Sequence, residues 1–310
     1  MLFSRRAAMQ YIDLHCDTLY RAVTENKNLY DNDFHISLGD KDSFKIWVQC
    51  FAVWIPDDIT LEQAQSLYQK AVQRLNTDAY DNSFDIYKGN GFGGKYTAVL
   101  TVEGGRLIGS DLSNIKRLAD DNVKILTLTW NGDNQIACGA QTNNDTGLTD
   151  FGKAAVRELE RNKIVVDVSH LSDRSFYDTA ENSTAPFVAT HSNSRTICNH
   201  RRNLTDEQFK IIRDTGGIIG LNFYRDFLSC GKAGIKDIVK HCEHFLSLGG
   251  EDTVAIGSDF DGSDMPDDIC GIADVPKIYN EFLRLNYSET LVNKIFWANA
   301  HNFFETFDNT

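Results

Sequence analysis

Five short segments of this chain each place a metal-binding side chain just after a β-like run. They are His15-Cys16-Asp17, Glu103-Gly104-Gly105, Ser169-His170, Thr190-His191-Ser192 and Asp259-Phe260-Asp261-Gly262. The preceding stretches are rich in Val, Ile, Leu or Thr. If those stretches are parallel strands of one barrel, the side chains converge on one mouth. Neutral imidazoles and carboxylates gathered there amount to a dinuclear metal site, with zinc the expected ion.

The spacing assigns parts. His15 and Asp17 are two residues apart, so on an extended chain they point the same way and Cys16 points opposite. Glu103 has two carboxylate oxygens and can bridge two cations, and the two glycines after it let backbone and metal approach closely. His170 and His191 end consecutive strand-like runs and could hold a second ion. Asp259 ends the last run, where proton transfer is an alternative to ligation. Two ions roughly 3.5–4 Å apart activate a bridging water and polarise a carbonyl or phosphoryl oxygen, which makes the chain a metal-assisted hydrolase. Taken singly, each residue has a plainer role: Asp17 and Asp259 as turn formers or caps, Glu103 as a cap. It is the combination that argues for chemistry. His241 and His244, at i and i+3 of a helix, have the spacing of a metal pair but read as a solvated face, and His35, His200 and His301 read as ordinary solvated histidines.

The elements that must position these residues are legible. Apolar β-rich runs recur at about residues 10–16, 46–54, 95–102, 123–130, 163–169, 186–191, 217–223 and 253–258. Near-continuous Val/Ile/Leu, as in Lys163-Ile164-Val165-Val166-Asp167-Val168, marks strands buried on both faces. Helical patterns fill the gaps: 61–80 after Thr60 with Gln63 three residues on, 150–162, a segment opened by Thr205-Asp206-Glu207-Gln208, and 235–248 ending at Gly249-Gly250. The tail over 274–307 is helical twice more. Eight strands alternating with helices predict an α/β fold of the (β/α)8 TIM-barrel type with extra C-terminal helices. Residues 1–310 then form a single metallo-hydrolase barrel domain, its strands within about 10–262. Gly89-Asn90-Gly91-Phe92-Gly93-Gly94 matches a dinucleotide fingerprint formally, but it precedes a strand instead of following one, so it reads as a loop.

Composition narrows the partners. The 310 residues carry 31 basic and 44 acidic side chains, a net charge of −13, which argues against a nucleic-acid partner. No run approaches the ~18 apolar residues of a membrane span. The first nine residues carry positive charge without the apolar stretch of a signal peptide. Seven cysteines with no C-x-x-C pair read as reduced thiols in the cytoplasm.

In order along about residues 10–300, the motifs resemble the membrane (renal) dipeptidases, zinc metallopeptidases of the amidohydrolase-like barrel superfamily. The resemblance is carried by His15-x-Asp17, Glu103-Gly104-Gly105, the Asp-Val-Ser-His ending at His170, Thr190-His191-Ser192, Arg201-Arg202-Asn203-Leu204, Leu221-Asn222-Phe223-Tyr224 with Phe227-Leu228-Ser229-Cys230, and Gly257-Ser258-Asp259-Phe260-Asp261-Gly262. It implies two Zn2+ ions, the first held by His15 and Asp17, the second by His170 and His191, with Glu103 bridging. It implies a small dipeptide substrate, cut by a metal-bridging hydroxide, with a D-residue commonly accepted at the C-terminal position. Arg202 matches the residue that binds the substrate carboxylate, a role suited to a guanidinium. Asp259 matches the acidic residue that handles the catalytic proton or the substrate amine. Asn222 and Tyr224 belong to the substrate-binding set on the same ground, and Trp130 and Asn131 join it as candidate hydrogen-bond donors near the scissile carbonyl. Trp130 stands where many members carry a His, and an indole can donate a hydrogen bond but cannot titrate. Phe227 stands where the family has a tyrosine. These departures bear on substrate preference, not on the metal ligands. The reading leaves room for a homodimer. Its rivals are a dinuclear-metal amidohydrolase acting on another small amide, ester or lactone, and a non-catalytic metal-binding protein.

Overall fold

The structure is a computed structural model describing residues 9–39 and 44–309. The reading of the amino terminus as leaderless concerns residues 1–9 and falls, Met9 apart, outside them. Eight strands form one parallel sheet: β1 (Met9–Asp13), β2 (Phe44–Trp54), β3 (Asp85–Ile86), β4 (Tyr96–Glu103), β5 (Ile125–Thr127), β6 (Val165–Asp167), β7 (Ile219–Leu221) and β8 (Val254–Ile256). Their order is β6-β5-β4-β2-β1-β8-β7, with the short β3 beside the start of β4. The gap between β6 and β7 is spanned by Val188, bridged to Asp167, and Ala189, bridged to Ile219. With that segment the ring closes as a (β/α)8 barrel.

The run at 186–191 is therefore not a regular strand, contrary to the sequence expectation. Its backbone is diverted: the Thr190 N–H donates to Asp167 Oδ1 at 3.0 Å and the Thr190 hydroxyl to Oδ2 at 2.6 Å, so a side chain replaces further ladder. The runs at 123–130, 163–169, 217–223 and 253–258 likewise keep only three ladder residues each. Beyond the ladder the chain turns sharply, and His170 (φ 70°) and Asp259 (φ 62°) sit in the left-handed region. Non-glycine residues there are strained and concentrate at functional sites.

The helices are α1 (Thr18–Thr24), α2 (Leu61–Asn82), α3 (Ser113–Asp120), α4 (Asp150–Arg161), α5 (Asp173–Asn182), α6 (Asp206–Asp214), α7 (Arg225–Leu228), α8 (Ile235–Ser247), α9 (Val275–Arg284), α10 (Glu289–Asn293) and α11 (Asn299–Asn309). Both expected capping boxes form. Thr60 Oγ1 accepts from Gln63 N–H while Gln63 Oε1 accepts from Thr60 N–H, and Thr205 and Gln208 repeat the arrangement at α6. Gly249, just past α8, takes φ 83°, the left-handed turn that ends a helix cheaply only at glycine. The tail is helical twice, as α9 and as a continuous run in which a π-helical turn, Lys294–Ala298, joins α10 to α11. The glycine-rich stretch at 89–94 is a loop.

Alternation along the strands divides the core. Ile12, Val48, Val99, Ile125, Val165, Val188 and Ile218 cluster inside the barrel with Phe303, Phe304 and Phe307 of α11, which plug one end. Their neighbours Tyr11, Trp47, Ala98, Leu100, Leu126 and Val166 face the helical layer. Burying each large apolar side chain contributes about 1.5–3 kcal/mol, so both faces of every strand hold the scaffold rigid. The other end of the barrel is left for polar side chains. Among the described residues, no helix is long and apolar enough to cross a membrane.

Candidate active site

The cage is built upward from two buried carboxylates that sequence reasoning did not single out. Asp13, in β1, accepts hydrogen bonds from the N–H and hydroxyl of Ser258 (2.8 and 2.6 Å) and from His15 N–H (3.2 Å). It thereby locks the ends of β1 and β8 together beneath the mouth. Asp167, in β6, does the same across three strands, accepting from Thr127 Oγ1 (2.6 Å), Ser169 N–H (2.9 Å) and Thr190. An acidic residue two or three positions before a strand-end histidine, inside an apolar run, was the available signal.

On this floor the predicted ligands meet. His15 Nε2 lies 3.5 Å from Asp17 Oδ2, 3.7 Å from Glu103 Oε2 and 4.0 Å from Asp259 Oδ1. Glu103 Oε1 lies 2.8 Å from His170 Nε2 and 3.6 Å from His191 Nε2. The two oxygens of Glu103 thus face different imidazoles. The donor atoms of His15, Glu103 and His191, and of His15, Asp17 and Asp259, each fall within 4.8 Å of one another. All six side chains are buried or nearly so. Cys16 faces away, its thiol donating to Cys50 O at 3.4 Å.

The hydrogen bonds behind the cage settle the tautomers. His170 Nδ1 meets Asn131 Oδ1 at 3.0 Å, and an amide oxygen only accepts, so the ring hydrogen is on Nδ1. His191 Nδ1 meets Thr190 Oγ1 at 2.8 Å, whose own hydrogen goes to Asp167. Both Nε2 atoms therefore bring bare lone pairs into the cavity, 2.9 Å apart and beside Glu103 Oε1. Neither ring supplies a hydrogen to that contact, and a cation would satisfy both lone pairs. His15 Nε2 and Asp17 Oδ1 are buried without a hydrogen-bond partner, and a Cβ on Gly262 would lie 2.0 Å from Asp17 Oδ2, so only glycine there lets the Asp17 carboxylate take its place. Imidazole nitrogens with carboxylate oxygens form a donor set suited to zinc.

The electrostatics agree. Burial opposes charge on His15, but Glu103, Asp17 and Asp259 outweigh it and push its pKa up to about 10. Burial, reinforced by Asp17, holds Glu103 well above the usual carboxylate range. Burial lowers His170 and His191. Burial raises Asp259 to about 6 against the pull of His15. This is a pocket of carboxylates short of positive charge.

The cage opens into a cavity of about 760 Å³ lined by Asp17, Glu103, Trp130, Asn131, His170, Arg202, Tyr224 and Asp259, among others. Arg202 is 5% exposed, its guanidinium carbon lies 5.4 Å from the centre of the Phe227 ring, and its Nε and Nη2 have no hydrogen-bond partner. Burial lowers its pKa to about 10. Asn222 is placed differently from its expected substrate role: it is fully buried and donates through Nδ2 to Asp259 Oδ2 at 2.9 Å, which makes it a positioning residue. Asn131 lines the cavity and also orients His170.

Three histidines need correction. His241 is not on a solvated face: it is 0% exposed, its Nδ1 accepting from Ser194 N–H at 3.0 Å and its Nε2 donating to Leu228 O at 3.1 Å. His35 and His200 both line the cavity. His35 Nδ1 accepts from Asp261 N–H, and His200 Nδ1 from Arg202 N–H. His244 pairs with Asp206 at 2.7 Å and takes no part in a metal pair. Trp54, also on the cavity wall, escaped notice because β2 ends on an indole where five other strand ends carry candidate ligands.

Known proteins place this geometry in context. A protein of the pqqA 5′ region of Klebsiella pneumoniae is 39% identical over 158 residues, 49% of this chain and 58% of that protein. An uncharacterized dipeptidase of Schizosaccharomyces pombe is 32% identical over 230 residues, 70% of this chain and 54% of that one. The chain thus matches a little over half the length of these curated relatives. A metallopeptidase from Rhodobacter sphaeroides, solved with a phosphinate mimic of the dipeptide L-Ala-D-Ala, superposes with a TM-score of 0.87 at 26% identity, covering 96% of this chain and 99% of that one. The family model for membrane dipeptidases, peptidase family M19, matches residues 6–310, and the chain belongs to that family.

Proposed function

We propose that this protein is a zinc-dependent dipeptidase that hydrolyses the peptide bond of L-D or L-L dipeptides. One observation carries the reading: a buried guanidinium with two unpartnered donors opens into the same cavity as a cage of imidazoles and carboxylates. A buried cation costs free energy unless an anion meets it, and a dipeptide supplies a carboxylate one residue from the bond to be cut.

Two Zn2+ ions held by His15, Asp17, Glu103, His170 and His191 would supply Lewis acidity and a nucleophilic water at neutral pH. The chain's own residues do the rest. Arg202 takes the substrate carboxylate through two parallel hydrogen bonds and sets the register of the peptide bond. Asp259, held by Asn222 on the rim of the cage, accepts the proton of the attacking water and passes it to the departing amine. Trp130, Asn131 and Tyr224 line the path of the substrate. The Rhodobacter sphaeroides neighbour, bound to a mimic of L-Ala-D-Ala, supports including the L-D class. Seven free cysteines support a cytoplasmic setting, and a homodimer is compatible with it.

The test is zinc-reconstituted protein against L-Ala-D-Ala and a dipeptide panel. Free amino acids are expected, and their release should stop with chelator, with Glu103→Ala, and when the substrate's carboxylate is masked as an amide. Absence of amino-acid release from every dipeptide would overturn the proposal. Turnover of the amide as fast as the free acid would instead favour a general amidohydrolase.

A further inference from the structure

The cavity has two walls of different chemistry. One carries Arg202 with Phe227, His200 and Tyr224 around it. The other is aromatic: Tyr20 and Trp54 meet edge-to-face with centroids 4.8 Å apart, and Trp54 and Trp130 do so at 4.9 Å. Trp130 in turn lies 6.4 Å from the His170 ring, so this wall begins at the edge of the cage.

The topology sets these walls against each other. Around the ring, β2, which ends on Trp54, lies four places from the 188–189 segment, whose following loop carries Arg202. In an eight-membered barrel that is the opposite side, with the donor cage between. The aromatic wall is also built in advance. Asp57, in the loop after β2, accepts from Gly132 N–H in the loop after β5 at 2.7 Å, and Gln141 N–H donates to Asn131 O at 3.0 Å. The first bond ties the loop after Trp54 to the loop that carries Trp130, and the second braces that latter loop internally. The Trp54 Nε1–H is buried without a partner, so this indole is held by its ring contacts.

We propose that Tyr20, Trp54 and Trp130 form the subsite for the side chain of the substrate's amino-terminal residue and select aromatic or large apolar side chains there. The inference rests on the dipeptidase reading. With the C-terminal carboxylate on Arg202 and the peptide bond over the cage, the first residue projects across the mouth toward the indoles. Tilted ring pairs present both faces and edges, which complement another aromatic ring or a branched aliphatic chain and leave a methyl or a carboxylate poorly matched.

The test is kcat/KM of the zinc-loaded enzyme for Gly-Ala, Ala-Ala, Leu-Ala, Phe-Ala, Lys-Ala and Asp-Ala. Phe-Ala and Leu-Ala are expected to exceed Gly-Ala at least tenfold, within the range that an apolar subsite provides. In Trp54→Ala and Trp130→Ala the Phe-Ala to Gly-Ala ratio should fall about tenfold. In Trp54→Phe and Trp130→Phe, which retain a ring, most of it should remain. A Phe-Ala to Gly-Ala ratio near one in the unaltered enzyme overturns the inference whether or not the variants fold. So does a preference for Lys-Ala, which would mean that the indoles hold a cation, or a ratio unchanged in folded alanine variants. Failure to cleave any dipeptide would strike the proposed function itself, whereas cleavage without aromatic preference would strike only this subsite.

Discussion

At the scale of single residues, the site depends on atoms whose hydrogen-bonding capacity is left unused inside the protein. Arg202 is the clearest, with two buried donors and no acceptor. Replacing it with Met should lower kcat/KM for dipeptides by at least about ten- to hundredfold, the worth of a single charged hydrogen bond at about 1.5–3 kcal/mol. Lys should restore only part of this, because it lacks the planar fork. Asn131 acts one step back, through the His170 tautomer. Asn131→Ala should weaken zinc binding about ten- to hundredfold, as removal of a ligand's orienting partner typically does, and calorimetric titration of the metal-free protein measures this without reference to turnover.

At the scale of elements, buried carboxylates join strand ends that are too short to be held by ladder hydrogen bonds alone. β5 and β6 each keep three residues, and the 188–189 segment contributes only two bridges, yet His170 and His191 must come within hydrogen-bond distance of each other. Asp167 makes this possible by accepting from Thr127, Ser169 and Thr190 at once. Asp167→Ala would leave those donors buried without acceptors, at about 1–3 kcal/mol for each unsatisfied group. A loss of several kcal/mol in urea-unfolding free energy is expected, together with weaker zinc binding. A variant that kept full stability would show that the ladder alone closes the barrel. The helices, by contrast, are locally encoded: Thr205→Ala removes half a capping box and should cost only about 1 kcal/mol.

At the scale of the whole molecule, one histidine couples pH to the packing of the cavity's outer wall. His241 on α8 holds both Ser194, in the loop before Arg202, and Leu228, at the end of α7. Burial lowers its pKa to about 4 from an ordinary value of 6.5, so the folded state holds this proton less readily than the unfolded chain. Its contribution to stability is therefore complete above pH 6.5 and is lost as pH falls toward 4, by up to about 3 kcal/mol. Urea midpoints of the protein and of His241→Asn should converge over that window, and a constant gap between them would refute the coupling. Metal binding acts on the molecule as a whole too. The cage is assembled from β1, β4, β6, β8 and the 188–189 segment, so the unfolded chain cannot reproduce it. Zinc at a hundred times its dissociation constant should then stabilise the fold by about 2.7 kcal/mol per site, visible as a rise in Tm that chelator reverses.

The sequence by itself determined the barrel and the identity of the cage. Apolar runs alternating with capped helices dictate the layers, and strand-end placement is enough to bring His15, Asp17, Glu103, His170, His191 and Asp259 to one mouth, since all parallel strands of a barrel end on the same side. Helix boundaries at Thr60, Thr205 and Gly249 were legible because capping is a contact between residues three or four apart. What only the tertiary structure decided are relations between residues far apart in the chain. The diversion of residues 186–191 from a strand depends on the Asp167 side chain, and the burial of His241 depends on two loops that pack over it. His35 and His200 reach the cavity wall through the fold of their loops, Asn222 turns out to sit behind Asp259, and Trp54 gains its meaning only beside Trp130. Periodicity and spacing report on one element at a time, whereas these arrangements arise from hydrogen bonds and ring contacts that exist only once the barrel has closed.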